Sequence, residues 1–332
     1  MLPETSINLS QVSAPPYFDG PGAIPDRLPA MPSSSPLADA PPLQFLVIES
    51  ETAEQRDRRR ERVGKSSGES YCATLEQLVP GCVCDRVAPA DEDAALPDRD
   101  AIRGWDAIFV TGSPLHVYDD SPVTRRQVDF MRRVFAAGVP SFGSCAGLQL
   151  AIAAAGGRVR SMPRQEAGIA RRIARYEEGL NHPLFDGRGL AWDAPAMHGD
   201  EVEELPPHST LLAGNGVSRV QAVEIRHGAG TFWGVQYHPE LSLAEIAAAL
   251  RRDADDIVEA GLALTTDAVA DRAAMIDALD TRPDRLDLRW QLGVDHEFAD
   301  TDRRRTEIIN FIRHLVIPTR LKRDEATPVA AE

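Results

Sequence analysis

The stretch Val139-Pro-Ser-Phe-Gly-Ser-Cys-Ala-Gly-Leu-Gln-Leu-Ala-Ile-Ala-Ala-Ala-Gly-Gly157 reads in three parts: an apolar strand, a turn at Gly143-Ser144-Cys145-Ala146-Gly147, and an Ala-rich helix stopped by a glycine pair. In the G-x-nucleophile-x-G form, flanking glycines let strand and helix approach closely around a strained turn, which lifts the middle side chain to the top of a sheet. Cys145 would then sit at a helix N-terminus, whose positive end favours a thiolate and whose unpaired N–H groups, including that of Ala146, can receive an oxyanion. A buried, inert cysteine on a tight turn satisfies the same pattern, so the motif alone leaves both readings open.

Working outward, further strands are expected at Phe45–Ser50, Cys82–Val87, Ala107–Thr111 and Val139–Gly143, each short, apolar and bounded by Gly, Pro or polar residues. Between the last two, Pro122–Ala137 has helical spacing with Pro near its start and Gly138 just past its end. Strand, helix and strand in alternation predict an α/β fold, a doubly wound, mostly parallel sheet with helices on both faces and sites at the carboxyl ends of its strands. After Gly157 shorter extended segments follow, at Ile169–Tyr176, Ala222–Arg226 and Thr231–Tyr237. From Ser242 the pattern is mostly helical, ending in Arg303–Val316 with Ile308, Ile312, Leu315 and Val316 on one face.

Residues 1–42 hold ten of the 25 prolines and read as a flexible leader. The expected division is this leader, a main domain over 43–250 and a helical C-terminal extension over 251–332 packing on the same domain. Among the 332 residues, 36 Lys and Arg against 51 Asp and Glu give a net charge of −15, which argues against a nucleic-acid partner. No apolar run is long enough for a bilayer and the start lacks a secretory pattern, so no membrane association and a cytoplasmic location are expected.

Cys72, Cys82 and Cys84 lack finger spacing and read as buried thiols rather than metal ligands; no metal or cofactor is expected. Gly64-Lys65-Ser66 fails the spacing of a phosphate loop, because position 59 is Arg, and reads as part of a solvated loop.

The second chemical segment is Thr231-Phe-Trp-Gly-Val-Gln-Tyr-His-Pro-Glu240. In extended chain, residues two apart point the same way, and Pro239 holds His238 extended, so Glu240 can reach the His238 ring and leave its other nitrogen for a thiol. A loop histidine beside a surface carboxylate is the plain alternative. With Cys145 the pair completes a nucleophile, a base and an orienter, the set that acyl transfer requires. A third element, Thr111-Gly112-Ser113-Pro114 at a strand end, could turn the Gly112 N–H toward the same oxyanion, or be a simple turn. His116 and Tyr118 are expected at the pocket rim, His182 in a loop, and His198 as a pocket residue or a structural turn.

Gly-Ser-Cys145-Ala-Gly-Leu-Gln149, Gly-Val-Gln-Tyr-His238-Pro-Glu240 and Thr-Gly112-Ser-Pro resemble the class I glutamine amidotransferases, the Cys-His-Glu triad type. Gln165-Glu-Ala-Gly168, Asn181-His-Pro-Leu-Phe185 and Met197-His-Gly-Asp-Glu-Val202 are similar to the amidotransferase domain of GMP synthase. The resemblance, over about residues 43–250, implies a flavodoxin-like sheet, Cys145 as nucleophile, His238 as base, Glu240 as orienter and an oxyanion pocket from Gly112 and Ala146. It also implies a glutamine pocket lined by Gln149, Glu166, Gly168, Met197 and His198. Ala146 departs from many relatives, which carry a larger residue after the nucleophile. Ammonia in that family usually passes to a synthetase, but no S-G-G-x-D-type pyrophosphatase loop occurs in this sequence. The expected function is therefore a glutaminase that supplies ammonia to a separate synthetase or ligase. The alternatives are a γ-glutamyl peptidase or hydrolase with water as acceptor, and a non-catalytic regulatory relative.

Overall fold

Alternation of apolar side chains decides which face of each strand meets which helix. The computed structural model describes residues 41–326, so the expected leader lies outside the described residues but for its last two positions. In chain order the first half runs β1 (Gln44–Ile48), α1 (Ala53–Val63), α2 (Ser67–Leu78), β2 (Val83–Val87), α3 (Arg99–Ile102), β3 (Ala107–Val110), α4 (Pro122–Ala137), β4 (Ser141–Ser144) and α5 (Ala146–Ala154). The strands β5 (Arg158–Arg175), β6 (Ala191–Glu204), β7 (Ser209–Gly214), β8 (Ala222–His227) and β9 (Gly230–Val235) follow. The described chain closes with α6 (Leu243–Arg252), α7 (Ala254–Glu259), α8 (Thr266–Thr281), α9 (Leu286–Leu292), α10 (His296–Ala299), α11 (Thr301–Arg304), α12 (Thr306–Phe311), a π turn and α13 (Ile317–Ala326).

The nine strands form one sheet in the order β2-β1-β3-β4-β9-β8-β7-β5-β6. β2, β1, β3, β4 and β9 are parallel neighbours, whereas β9-β8, β8-β7, β7-β5 and β5-β6 pair antiparallel. The sheet is thus mixed in equal parts rather than mostly parallel. From β5 on, no α-helix lies between successive strands, so the crossover that parallel pairing needs is missing and these strands pair antiparallel.

In the parallel half, Phe45, Val47 and Phe109 face α2 and α12, while Leu46, Ile48, Ile108 and Val110 face α4 and α5. Helix α4 spans the residues its sequence signals enclose. Ser121 caps it, Pro122 occupies the first turn, and Gly138 ends it at φ 78°. Of the expected solvated loop at 64–68, Gly64 and Lys65 are exposed, whereas Ser66–Gly68 are a buried helix start. Ser66 and Glu69 form a capping box, and Ser66 and Gly68 donate to the Glu49 carboxylate at the end of β1.

The C-terminal helices are part of the core. Phe311 of α12 packs edge-on against Phe109 with ring centres 5.5 Å apart, and lies 5.5 Å from Phe142 and 5.9 Å from Trp233. No break in the core falls at residue 250. A buried polar network locks this packing. Arg188 bonds Glu307 at 2.8 Å and Glu297 at 3.0 Å, and Tyr237 Oη donates to Glu307 at 2.9 Å. Burial opposes the Arg188 charge, but Glu307, Tyr237 and Glu297 outweigh it and hold its pKa above the ordinary value. Among the described residues no helix is long and apolar enough to cross a membrane.

Because removing one member of a buried ion pair strands its partners, Arg188→Met is expected to cost about 3–5 kcal/mol of unfolding free energy. Denaturant titration checks this, and a loss below about 1 kcal/mol would show that the network is not under the stated constraint.

Candidate active site

Residues at the carboxyl end of β4 cannot turn into α5 in ordinary geometry. Cys145 sits between them at φ 53° and ψ −114°, a conformation that non-glycine residues rarely adopt. It is held there by its own N–H, donated to Val235 at 2.9 Å, and by its carbonyl, which accepts from the Gln149 N–H at 3.1 Å. The flanking glycines are dictated by space. A Cβ on Gly147 would come within 2.3 Å of the Val110 carbonyl oxygen, and one on Gly143 within 2.9 Å of the Gly147 carbonyl carbon. Ala146 is the first residue of α5, so its N–H has no acceptor within the helix.

β9 runs beside β4, and the chain leaving it brings His238 to this turn. His238 Nδ1 lies 2.8 Å from Glu240 Oε1 and the ring is buried. Burial disfavours the imidazolium, but the Glu240 charge and then the nearby Cys145 sulfur raise its pKa to about 10. Ser144 Oγ donates to the same Glu240 oxygen at 2.8 Å, and Thr74 Oγ1 donates to the Glu240 backbone carbonyl at 3.1 Å. The buried Tyr71 hydroxyl lies nearby; burial, and next the Glu240 charge, push its pKa well above the ordinary value. Sequence patterns did not single out Ser144, Thr74 or Tyr71. The strand position of Ser144, next to the nucleophile in β4, is the one signal that could have found it.

Gly112 follows β3 and closes the third side. A Cβ placed on it would meet His238 Cε1 at 2.8 Å and Cys145 Cβ at 3.5 Å, so only glycine fits between them. A cleft of ≈ 510 Å³ opens over Cys145, walled by Gln149, Gln165, Met197, His198 and Asp200 on one side and by α1 and α6 on the other. Met197 offers its carbonyl 3.8 Å from the Cys145 sulfur.

His198 is a wall support more than a contact surface. Its Nε2 faces Glu166 at 2.9 Å and its Nδ1 faces the Asp200 carbonyl at 3.0 Å, while Glu166 also accepts from Asn215 and Gln221. Gln149 Nε2 reaches Asp200 O and Gln236 Oε1, each at 3.3 Å. Gly168, expected in the pocket, lies elsewhere. It is a φ +83° position in β5 packed against Leu250 and Ile276, where its missing Cβ accommodates helices α6 and α8. His116 and Tyr118 stack at the rim and both bond Asp200. His182 caps a short turn and meets Glu224 at 3.3 Å. Among the described residues no group of His, Cys, Asp and Glu could hold a metal ion.

A thiol at a helix start beside a charge-tuned imidazole is an arrangement that can form and cleave a thioester. A family model for glutamine amidotransferase class-I matches residues 81–254. A γ-glutamyl-L-1-hydroxyisopropylamide hydrolase of a Pseudomonas species is 34% identical over 288 residues, covering 83% of this chain and 94% of its own. The GMP synthase of Thiobacillus denitrificans is 36% identical over 140 residues, covering 41% of this chain and 25% of its own length. Among solved structures, a glutamine amidotransferase from Thermotoga maritima superposes with a TM-score of 0.54 at 14% identity, covering 81% of this chain and 98% of that one. One from Methylobacillus flagellatus does so at 0.51 and 18% identity, covering 81% and 95%. At these identities the two structures share the fold.

A raised imidazole pKa keeps the proton on His238 through neutral pH and releases it only near pH 10. The kcat/KM for acylation is therefore expected to fall on the alkaline side near that value. Glu240→Gln removes the main charge that raises it, so its alkaline limb should move down by more than about one pH unit. An unmoved limb in the pH profile of Glu240→Gln would refute the assignment of the titrating group.

Proposed function

The chain belongs to the class-I glutamine amidotransferase family, and we propose that it hydrolyses γ-glutamyl amides through a thioester on Cys145, with water as final acceptor. The thiolate attacks the side-chain amide carbon while the N–H groups of Gly112 and Ala146 hold the resulting oxyanion. The imidazolium of His238, oriented by Glu240, gives its proton to the departing nitrogen. Water then adds to the thioester with His238 as base, glutamate leaves, and the thiolate returns. The observation that carries this reading is the Glu240-bonded imidazole of His238 set beside Cys145 at the strained start of α5.

Two readings of the leaving group follow from the relatives. The hydrolase likeness spans nearly the whole of both chains, which favours hydrolysis of a substituted γ-glutamyl amide. The chain spans a quarter of the GMP synthase it matches, and that likeness supports the second reading, release of ammonia from glutamine to a separate synthetase. Gln149 and Met197 are proposed to line the glutamyl side of the cleft, with His198 supporting that wall. An intact Cys145, His238 and Glu240 in contact count against a purely regulatory relative.

Mass spectrometry of a panel of glutamine, γ-glutamyl alkylamides and γ-glutamyl amino acids is expected to show glutamate release, and Cys145→Ala should lower it by at least about a thousandfold. The glutamine mimic 6-diazo-5-oxo-norleucine should label Cys145 ahead of Cys72, Cys82 and Cys84. No turnover together with labelling at another cysteine would overturn the proposal.

A further inference from the structure

Beside the main cleft, and continuous with it at Cys145, lies a smaller chamber of ≈ 90 Å³. Thr111, Gly112, His238 and Ile246 line this chamber and not the larger cleft, whereas Gln149 and His198 line only the larger. The leaving nitrogen must take its proton from His238, so whatever it carries departs toward the chamber while the glutamyl part occupies the larger side. The chamber is the smaller of the two spaces that meet at Cys145, which suits a small leaving amine.

Glu51, in the loop after β1 and 6% exposed, stands where the chamber meets the larger cleft and lines both. Its side chain accepts one hydrogen bond, from the Ser67 N–H to Oε2 at 3.2 Å, and among the described residues it has no ion-pair partner. The nearby cations are ion-paired to other carboxylates, although the Glu51 charge also acts on Arg252. Arg59 is bound to Glu245 at 2.9 Å, and Arg252 to Asp253 at 2.5 Å. Glu245 is saturated by Arg59, Ser70 and Ser242. A carboxylate kept nearly out of water with a single partner is costly unless something else binds it, and here it faces the space beside the nucleophile.

We infer that Glu51 selects the leaving group, accepting a hydrogen bond from a hydroxyl or ammonium on a small amine and rejecting anionic leaving groups such as amino acids. This rests on the γ-glutamyl amide hydrolase reading and gives that site its substrate class. Glu51 acts on the acylation step alone, since the amine has left before the thioester is hydrolysed.

The experiment compares kcat/KM for γ-glutamyl-(2-hydroxyethyl)amide, γ-glutamyl-(2-aminoethyl)amide, γ-glutamyl-propylamide and γ-glutamylglycine in the wild type, Glu51→Gln and Glu51→Leu. The wild type should prefer a donor-bearing amide to the propylamide by about tenfold and disfavour γ-glutamylglycine. Glu51→Leu should erase that ratio, and a ratio is insensitive to partial loss of folded enzyme. In Glu51→Gln a hydroxyl preference should survive and an ammonium preference should fall, which separates the two donors. A ratio unchanged in Glu51→Leu, or γ-glutamylglycine as the best substrate, overturns the inference while leaving the hydrolase reading intact. A wild type that turns over no γ-glutamyl compound overturns both.

Discussion

The site hangs on a backbone constraint: a cysteine held at positive φ between two glycines that have no room for a side chain. Such a conformation costs on the order of 1–3 kcal/mol and persists only where its surroundings over-determine it. Here the surroundings are β3 and β9 on either side of β4. The Val110 carbonyl closes on Gly147, and the Val235 carbonyl accepts the Cys145 N–H. The parallel half of the sheet thereby acts as a jig. The same two neighbouring strands deliver Gly112 and His238, so the strain at Cys145 and the convergence of its partners have one cause.

The second constraint comes from the far end of the chain. His238 follows Tyr237, whose hydroxyl is bound to Glu307 of α12, which also holds Arg188. The helix that covers one face of the sheet is therefore tied directly to the segment that presents the imidazole. Glu240 is fixed independently, by Ser144 from β4 and Thr74 from α2. Pro239 thus lies between two anchored residues, and the reach from Glu240 to the ring is set from both sides.

What the sequence disclosed was local. Strands β1, β3 and β4 are short apolar runs with polar stops, and α4 is bracketed by Pro122 and Gly138, signals that need no tertiary context. The proposed triad was legible as a candidate because each of its two segments carries its own backbone logic, glycines about Cys145 and proline after His238. What failed was non-local. Ser66 and Gly68 read as solvated because their acceptor, Glu49, belongs to another element. Gly168 sat among pocket residues in the chain, yet its φ and missing side chain serve helices α6 and α8, which arrive from eighty residues and more downstream. The antiparallel half of the sheet was missed as well: the segments after Gly157 were expected in a mostly parallel sheet, and their pairing is set by partners distant in sequence.

This division has a chemical consequence. The groups proposed to make and break the thioester come from strand ends that the fold brings together as a block, and their motifs are contiguous in sequence. The walls that meet the leaving group come from the loop after β1 and from α6, which approach only in space, as Arg59 and Glu245 do across the cleft. Glu51 lies on no strand and makes no bond to Cys145, His238 or Glu240. Reaction type and leaving-group choice are consequently carried by different parts of the chain. A substrate can change along this branch of the fold while the strained turn at Cys145 stays as it is.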